Sequence, residues 1–139
     1  MDPAPPSEQT SPPEQAELAE LRTQVARYRA AFDLSAHGQA LVDLNGRFIE
    51  ANASLCQMLG YSQAELLSRR FLDITHPDDQ ADGLQGAADM RSGKLARYRC
   101  EKRYLRPDGQ TVWAQVTSQL ARDADARPLY FATSIEDIT

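Results

Sequence analysis

GQALVDLNGRFIEANASLCQMLGYSQAELL, residues 38–67, is the stretch against which the rest of the chain can be placed. Ala40 and Val42 alternate with Leu41 and Asp43, the period of a strand with one buried face. Asn45-Gly46 suits the two positive φ angles of a type I′ turn, and residues 47–51 return as a second strand. Asn52 stands where a helix N-cap is needed. Leu55, Cys56 and Leu59 share the face that follows, and Gly60 suits the left-handed residue that ends a helix. Ser62 opens the next helix, with Glu65 at capping-box spacing. A hairpin from which two short helices leave at once opens an α+β fold.

Downstream, Phe71, Leu72 and Ile74 are apolar, and His76-Pro77 breaks the backbone. Pro77 fits a first helical turn and Asp78 and Asp79 favour its positive end, so a helix is expected over residues 77–90. Its weak apolar face and its glycines, Gly83 and Gly86, predict a loosely held element. Residues 97–105 then alternate, with Tyr98, Cys100, Lys102 and Tyr104 on the parity assigned to the core. After a hairpin turn at Pro107-Asp108-Gly109, residues 111–121 place Val112, Ala114, Val116 and Leu120 inward. Residues 128–138 do the same with Leu129, Phe131, Thr133 and Ile135. Five strands joined by hairpins imply one antiparallel sheet with helices on one face.

Upstream, residues 1–13 are rich in Pro, Ser, Glu and Gln, and a disordered tail is expected. Residues 14–37 read as an amphipathic helix in which Leu18, Leu21, Val25, Tyr28 and Phe32 recur at heptad a/d spacing, with Glu17 and Arg22 placed to pair across a dimer. The same stripe also suits packing on the chain's own sheet. The domain proper is residues 38–139. A length of 139 residues, 42% hydrophobic, accommodates one core. A net charge of −5 argues against nucleic-acid binding. No apolar run reaches membrane length and the first residues lack a signal-peptide pattern, so a cytoplasmic location without membrane insertion is expected. Cys56 and Cys100 then read as buried thiols in a reducing compartment.

In order along the chain, Asp43-x-Asn45-Gly46, Asn52-Ala53, Leu59-Gly60-Tyr61-Ser62, Glu65-Leu66, His76-Pro77-Asp78-Asp79, Arg103, Asp108-Gly109, Trp113 and Asp137-Ile138-Thr139 resemble the PAS sensor domains over nearly all of residues 33–139. The resemblance implies a five-stranded sheet cupping a cavity under short helices. It also implies a homodimer through the N-terminal flanking helix and output to an effector beyond Thr139. Family members sense with haem, flavin, small organic ligands or nothing bound. The haem histidine of such relatives has no counterpart in residues 80–93, and Met90 is a poor substitute. The cysteine of blue-light relatives is replaced by Arg69. Haem and covalent flavin are therefore disfavoured, leaving a small organic ligand or none.

The expected cavity lining is Ala40, Val42, Leu55, Leu72, Met90, Tyr104, Ala114, Val116 and Phe131, with Ser118 and Thr133 as polar handles. Lys102 is the odd residue on that face. A bound carboxylate or phosphate would partner its ammonium, but the favoured expectation is an amine that reaches water near a sheet edge or pairs with an acid. His37 and His76 lie in different elements and make no metal site, and Asp78 and Asp79 read as capping residues. No nucleophile elbow or catalytic carboxylate pair is present. Arg97, Arg99 and Arg103 form an outer basic stripe, while Trp113, Tyr130 and Ala132 form an outer apolar patch for a second subunit or the N-terminal helix. The function expected is a non-enzymatic sensory and dimerisation module, with a ligand-free interaction scaffold as the alternative.

Overall fold

A computed structural model describes residues 11–139; most of the expected tail, residues 1–10, lies outside the described residues. The chain divides into two units, Met1–Phe32 and Asp33–Thr139. Helix α1, Pro12–Leu34, starts two residues earlier than expected. Ser11 and Glu14 form a capping box, Glu14 N donating to Ser11 Oγ (3.3 Å) and Ser11 N to Glu14 Oε2 (3.4 Å), so the prolines fall in a first turn that tolerates them. The helix stops at Leu34 instead of residue 37. There the Ser35 carbonyl accepts from Ser54 Oγ (2.6 Å) and the His37 carbonyl from Asn52 Nδ2 (3.0 Å), which draws the chain into the sheet. Along α1, Leu18, Leu21, Val25 and Tyr28 stand exposed.

In the second unit the elements are β1 (Gly38–Val42), β2 (Phe48–Ala51), α2 (Ala53–Leu59), α3 (Gln63–Leu67), a 3-10 turn at Phe71–Ile74, α4 (Pro77–Arg91), β3 (Arg97–Leu105), β4 (Thr111–Arg122) and β5 (Pro128–Asp137). The strands form one sheet in the order β2-β1-β5-β4-β3 with every neighbour antiparallel, as an α+β reading requires. Val42, Tyr104, Ala114, Val116, Phe131 and Ile135 are buried on the helix-bearing side, and α2 and α3 contribute Leu55, Leu59 and Leu66. Asn52 is the bracket between layers. Its Oδ1 accepts from Leu55 N at the start of α2 (3.0 Å) and from Gln39 N of β1 (2.9 Å). Gly60 ends α2 at φ +80° and Ser62 and Glu65 close their capping box.

The first hairpin is not type I′. Only Gly46 takes positive φ (+89°). Gly46 N donates to the Asp43 carbonyl (3.0 Å), and Asp43 Oδ1 accepts from Asn45 N and Arg47 N (both 2.9 Å), a three-residue loop with a bulge at the glycine. The β4–β5 hairpin repeats this pattern from Asp123 to Arg127, with Ala126 carrying the positive φ of 62°, where a side chain costs about 1 kcal/mol. Leu129 is 48% exposed and leaves the core. Ala121 pairs with Tyr130 and Arg122 with Pro128, so Leu129 is the extra residue of a bulge and loses its parity.

The glycines of α4 are contact positions, not signs of looseness. A Cβ on Gly86 would lie 2.5 Å from the Tyr98 ring, so the missing side chain lets the helix settle onto β3.

Candidate functional site

The short helices α2 and α3 pack on β1 and β2, and α4 packs on β3 and β4. Asp79 fixes the first turn of α4. Its carboxylate accepts from Arg103 N (2.8 Å), Nε (3.0 Å) and Nη2 (3.1 Å), and this fork holds the Asp79 carboxyl below its usual range. Asp79 thus does more than cap a helix, and Arg103 of the outer basic stripe is its ion-pair partner. His76 caps α4, its Nδ1 accepting from Asp78 N (3.1 Å). At the far end Arg122 Nη2 donates to the Met90 carbonyl (3.1 Å) and Arg91 Nη1 to the Leu44 carbonyl (3.0 Å). Between these anchors Tyr98 donates from its hydroxyl to the Asp82 carboxylate.

Held at both ends, α4 roofs a cavity of about 60 Å³. Of the residues expected around it, Val42, Met90, Lys102, Tyr104, Val116, Ser118, Phe131 and Thr133 line it. Ala40, Leu55 and Ala114 are buried but do not reach it, because Leu55 packs against Gly38 of β1 and small Ala side chains do not project far. Leu72 faces a separate surface groove, and Phe71 enters the cavity in its place. A 3-10 turn advances 120° per residue, so Phe71 and Ile74 share the inner side and Leu72 is turned away. Phe48, Gly83, Ala87, Tyr98 and Ile135 also contribute. Inward parity marked Tyr98 and Ile135 in the sequence, whereas nothing local marked Phe48, Gly83 or Ala87.

Lys102 departs most from expectation. Its strand is an edge strand, yet the residue is only 6% exposed and, among the described residues, its side chain pairs with no acid. Nζ lies 4.8 Å from the centroid of the Tyr104 ring and 5.0 Å from that of Phe71, and donates to Thr75 Oγ1 at 3.5 Å. Burial pushes the amine down from 10.5 to about 8 against the weaker pull of Cys100, Asp79 and Asp82. α4 blocks the escape route, and Gly83 is the helix residue that leaves it room: a Cβ there would sit 3.9 Å from Nζ. At another point of the wall Ser118 and Thr133 pair hydroxyl to hydroxyl at 2.9 Å.

The residues lining the cavity include neither histidine nor cysteine. The half-buried thiols of Cys56 and Cys100 are pushed up by burial.

On the outer sheet face Trp113 is 43% exposed, with the Arg103 guanidinium 5.1 Å from its ring centroid. Tyr130 pairs with Ala121, eight residues along β4 from Trp113, or about 26 Å away. Trp113 and Tyr130 therefore form no common patch. Strand register, which parity does not disclose, separates them. Trp113 instead meets the chain's last residues: Ile138 N donates to the Trp113 carbonyl (2.9 Å) and Trp113 N to Thr139 Oγ1 (3.1 Å). Among the described residues there is no cluster of metal-ligating side chains and no helix long and apolar enough to cross a membrane.

A family model described as PAS fold matches residues 48–135. The chain is 41% identical over 123 residues to the probable diguanylate cyclase DgcE of Escherichia coli (strain K12), covering 88% of this chain and 11% of that protein. It is 29% identical over 114 residues to the sensor histidine kinase TmoS of Ectopseudomonas mendocina, covering 82% and 12%. The chain thus spans about a tenth of the length of these curated relatives. In structure it is similar to the PAS domain of an HTR-like protein from Haloarcula marismortui, with a TM-score of 0.73 at 25% identity over 89% of this chain and 99% of that one.

The depressed amine of Lys102 gives a stability prediction whose sign follows from linkage. Below pH 8 both folded and unfolded chains hold the proton, and the folded state bears the whole cost of the buried charge. Between pH 8 and 10.5 the folded amine is neutral while the unfolded one is still charged, so the cost fades. Lys102→Met is expected to raise the urea-unfolding free energy in chloride buffer at pH 7 by about 2–3 kcal/mol, a gain that shrinks as pH climbs toward 10.5. A loss of stability, or a gain that ignores pH, contradicts the buried charge.

Proposed function

Because the chain belongs to the PAS fold family, we propose that it is a non-enzymatic sensory input module: it binds a small ligand or partner and passes a change of packing to an effector beyond Thr139. The observation that carries this reading is the cavity of about 60 Å³ under α4, a gap that an occupant fills only by pressing on a helix anchored at both ends. The names of the relatives support a setting in cyclic-dinucleotide or two-component signalling.

A contiguous set of contacts supplies a route for the signal. From the first turn of α4 it runs through the Asp79–Arg103 fork, to the Arg103 guanidinium over the Trp113 ring, and from the Trp113 backbone to Ile138 and Thr139. Pressure under α4 therefore reaches the segment that would continue into the effector. The heptad stripe of Leu18, Leu21, Val25, Tyr28 and Phe32 supports pairing of α1 in a homodimer, which would make the output a change of angle between two helices. The small volume favours one alternative, a ligand-free scaffold that works through its surfaces alone.

Two measurements test the proposal. Ala87→Leu adds bulk to the roof of the cavity and mimics an occupant, so it should shift the emission of Trp113, the single tryptophan, and Arg103→Met should suppress that shift. Unchanged emission favours the scaffold. Sedimentation should give a dimer that Leu21→Asp with Val25→Asp reduces to a monomer of 15.5 kDa; a wild-type monomer removes the pairing.

A further inference from the structure

Resting on the sensory reading above, we propose that the cavity under α4 is a receptor site for a small monocarboxylate, with the Lys102 ammonium as its anion-binding group and the apolar wall of Val42, Met90 and Phe131 receiving its hydrocarbon end.

An ammonium has three donors, and among the described residues Lys102 Nζ makes a single hydrogen bond, the 3.5 Å contact to Thr75 Oγ1. That hydroxyl spends its own hydrogen on the Phe71 carbonyl at 2.6 Å. Two carboxylates close enough to act on the amine are already engaged: Asp79 by three bonds to Arg103, and Asp82 by the Tyr98 hydroxyl. Among the described residues no ion pair reaches Lys102, so the cavity holds a cation whose neighbouring acids are committed elsewhere. The rings of Phe71 and Tyr104 offset part of its desolvation but supply no negative charge.

Charge and size select the ligand. A monoanion neutralises the ammonium one to one. A phosphate dianion or a dicarboxylate would leave a net negative charge against an apolar wall, and a neutral molecule would leave the ammonium as it is. A cavity of about 60 Å³ takes only a small acid. Gly83 puts no side chain over Nζ, to which a Cβ there would lie at 3.9 Å. The Ser118–Thr133 hydroxyl pair is self-satisfied, so the remaining wall asks for no second polar group.

The experiment titrates the whole chain, in chloride buffer at pH 7, with sodium acetate, its neutral isostere acetamide and sodium succinate, a dianion at that pH, read by carbon-13 line broadening of the small molecules and by thermal midpoint. Acetate should broaden and raise the midpoint, with acetamide and succinate at least tenfold weaker. Lys102→Met should lose at least tenfold in acetate affinity while unfolding no earlier than wild type. Equal binding of acetamide and acetate, or full acetate affinity in Lys102→Met, overturns the carboxylate site yet leaves a small-ligand sensor standing. No response to any of the three also overturns it, and the sensory reading is then judged on the Trp113 response to Ala87→Leu. Should Lys102→Met fail to fold, the comparison of acetate with acetamide on the wild-type chain decides alone.

Discussion

Strand alternation turns Lys102 inward, and α4 closes over an ammonium that no carboxylate among the described residues neutralises. Much of the site's arrangement follows from that constraint. Phe71 and Tyr104 set their rings beside the charge, and Gly83 keeps the helix backbone clear of it. The acids of α4 that would quench it are bound to Arg103 and Tyr98. A Met in place of Lys102 would make an ordinary core. A buried charge in its place carries a cost in stability.

The fork between Asp79 and Arg103 has two consequences that belong together. It anchors the roof of the cavity to the edge strand, and it places the guanidinium over Trp113, whose backbone holds the chain's last two residues. The same arginine therefore holds the helix and contacts the tryptophan. Gly86 contributes from the other direction: its missing side chain brings the helix against Tyr98, so α4 meets β3 through a closely fitted contact. Tightly packed elements respond to an added group by moving as units, which is how a small occupant is felt at a distance.

The sequence made local features legible and long-range ones obscure. Asn52, Gly60, Ser62 and Glu65 announced the ends of α2 and α3, since capping chemistry lies within three or four residues. Ser11 and Glu14 carry the same signal for α1, whose start lies two residues before the apolar stripe suggests. Parity placed Val42, Tyr104, Val116 and Phe131 around the cavity. It failed at Leu129, where a bulge inserts one residue, and at Leu72, where a 3-10 turn replaces period two. The first hairpin was mistyped because Asp43, not the Asn-Gly pair, organises its loop. The pairing of β1 with β5, the Asp79–Arg103 fork and the distance between Trp113 and Tyr130 depend on residues far apart in sequence. Lys102 was visible as an anomaly, but its burial was not, because burial is decided by a helix that begins 25 residues earlier.

The account stands on a real space between α4 and the sheet, and xenon reports such a space directly. An apolar void of this size takes up the gas, whereas a filled core does not. A crystal of the chain held under xenon pressure is expected to show a xenon atom bounded by Val42, Met90 and Phe131, with α4 in place above it. Those three side chains closed against one another, with no xenon between them, would contradict the account.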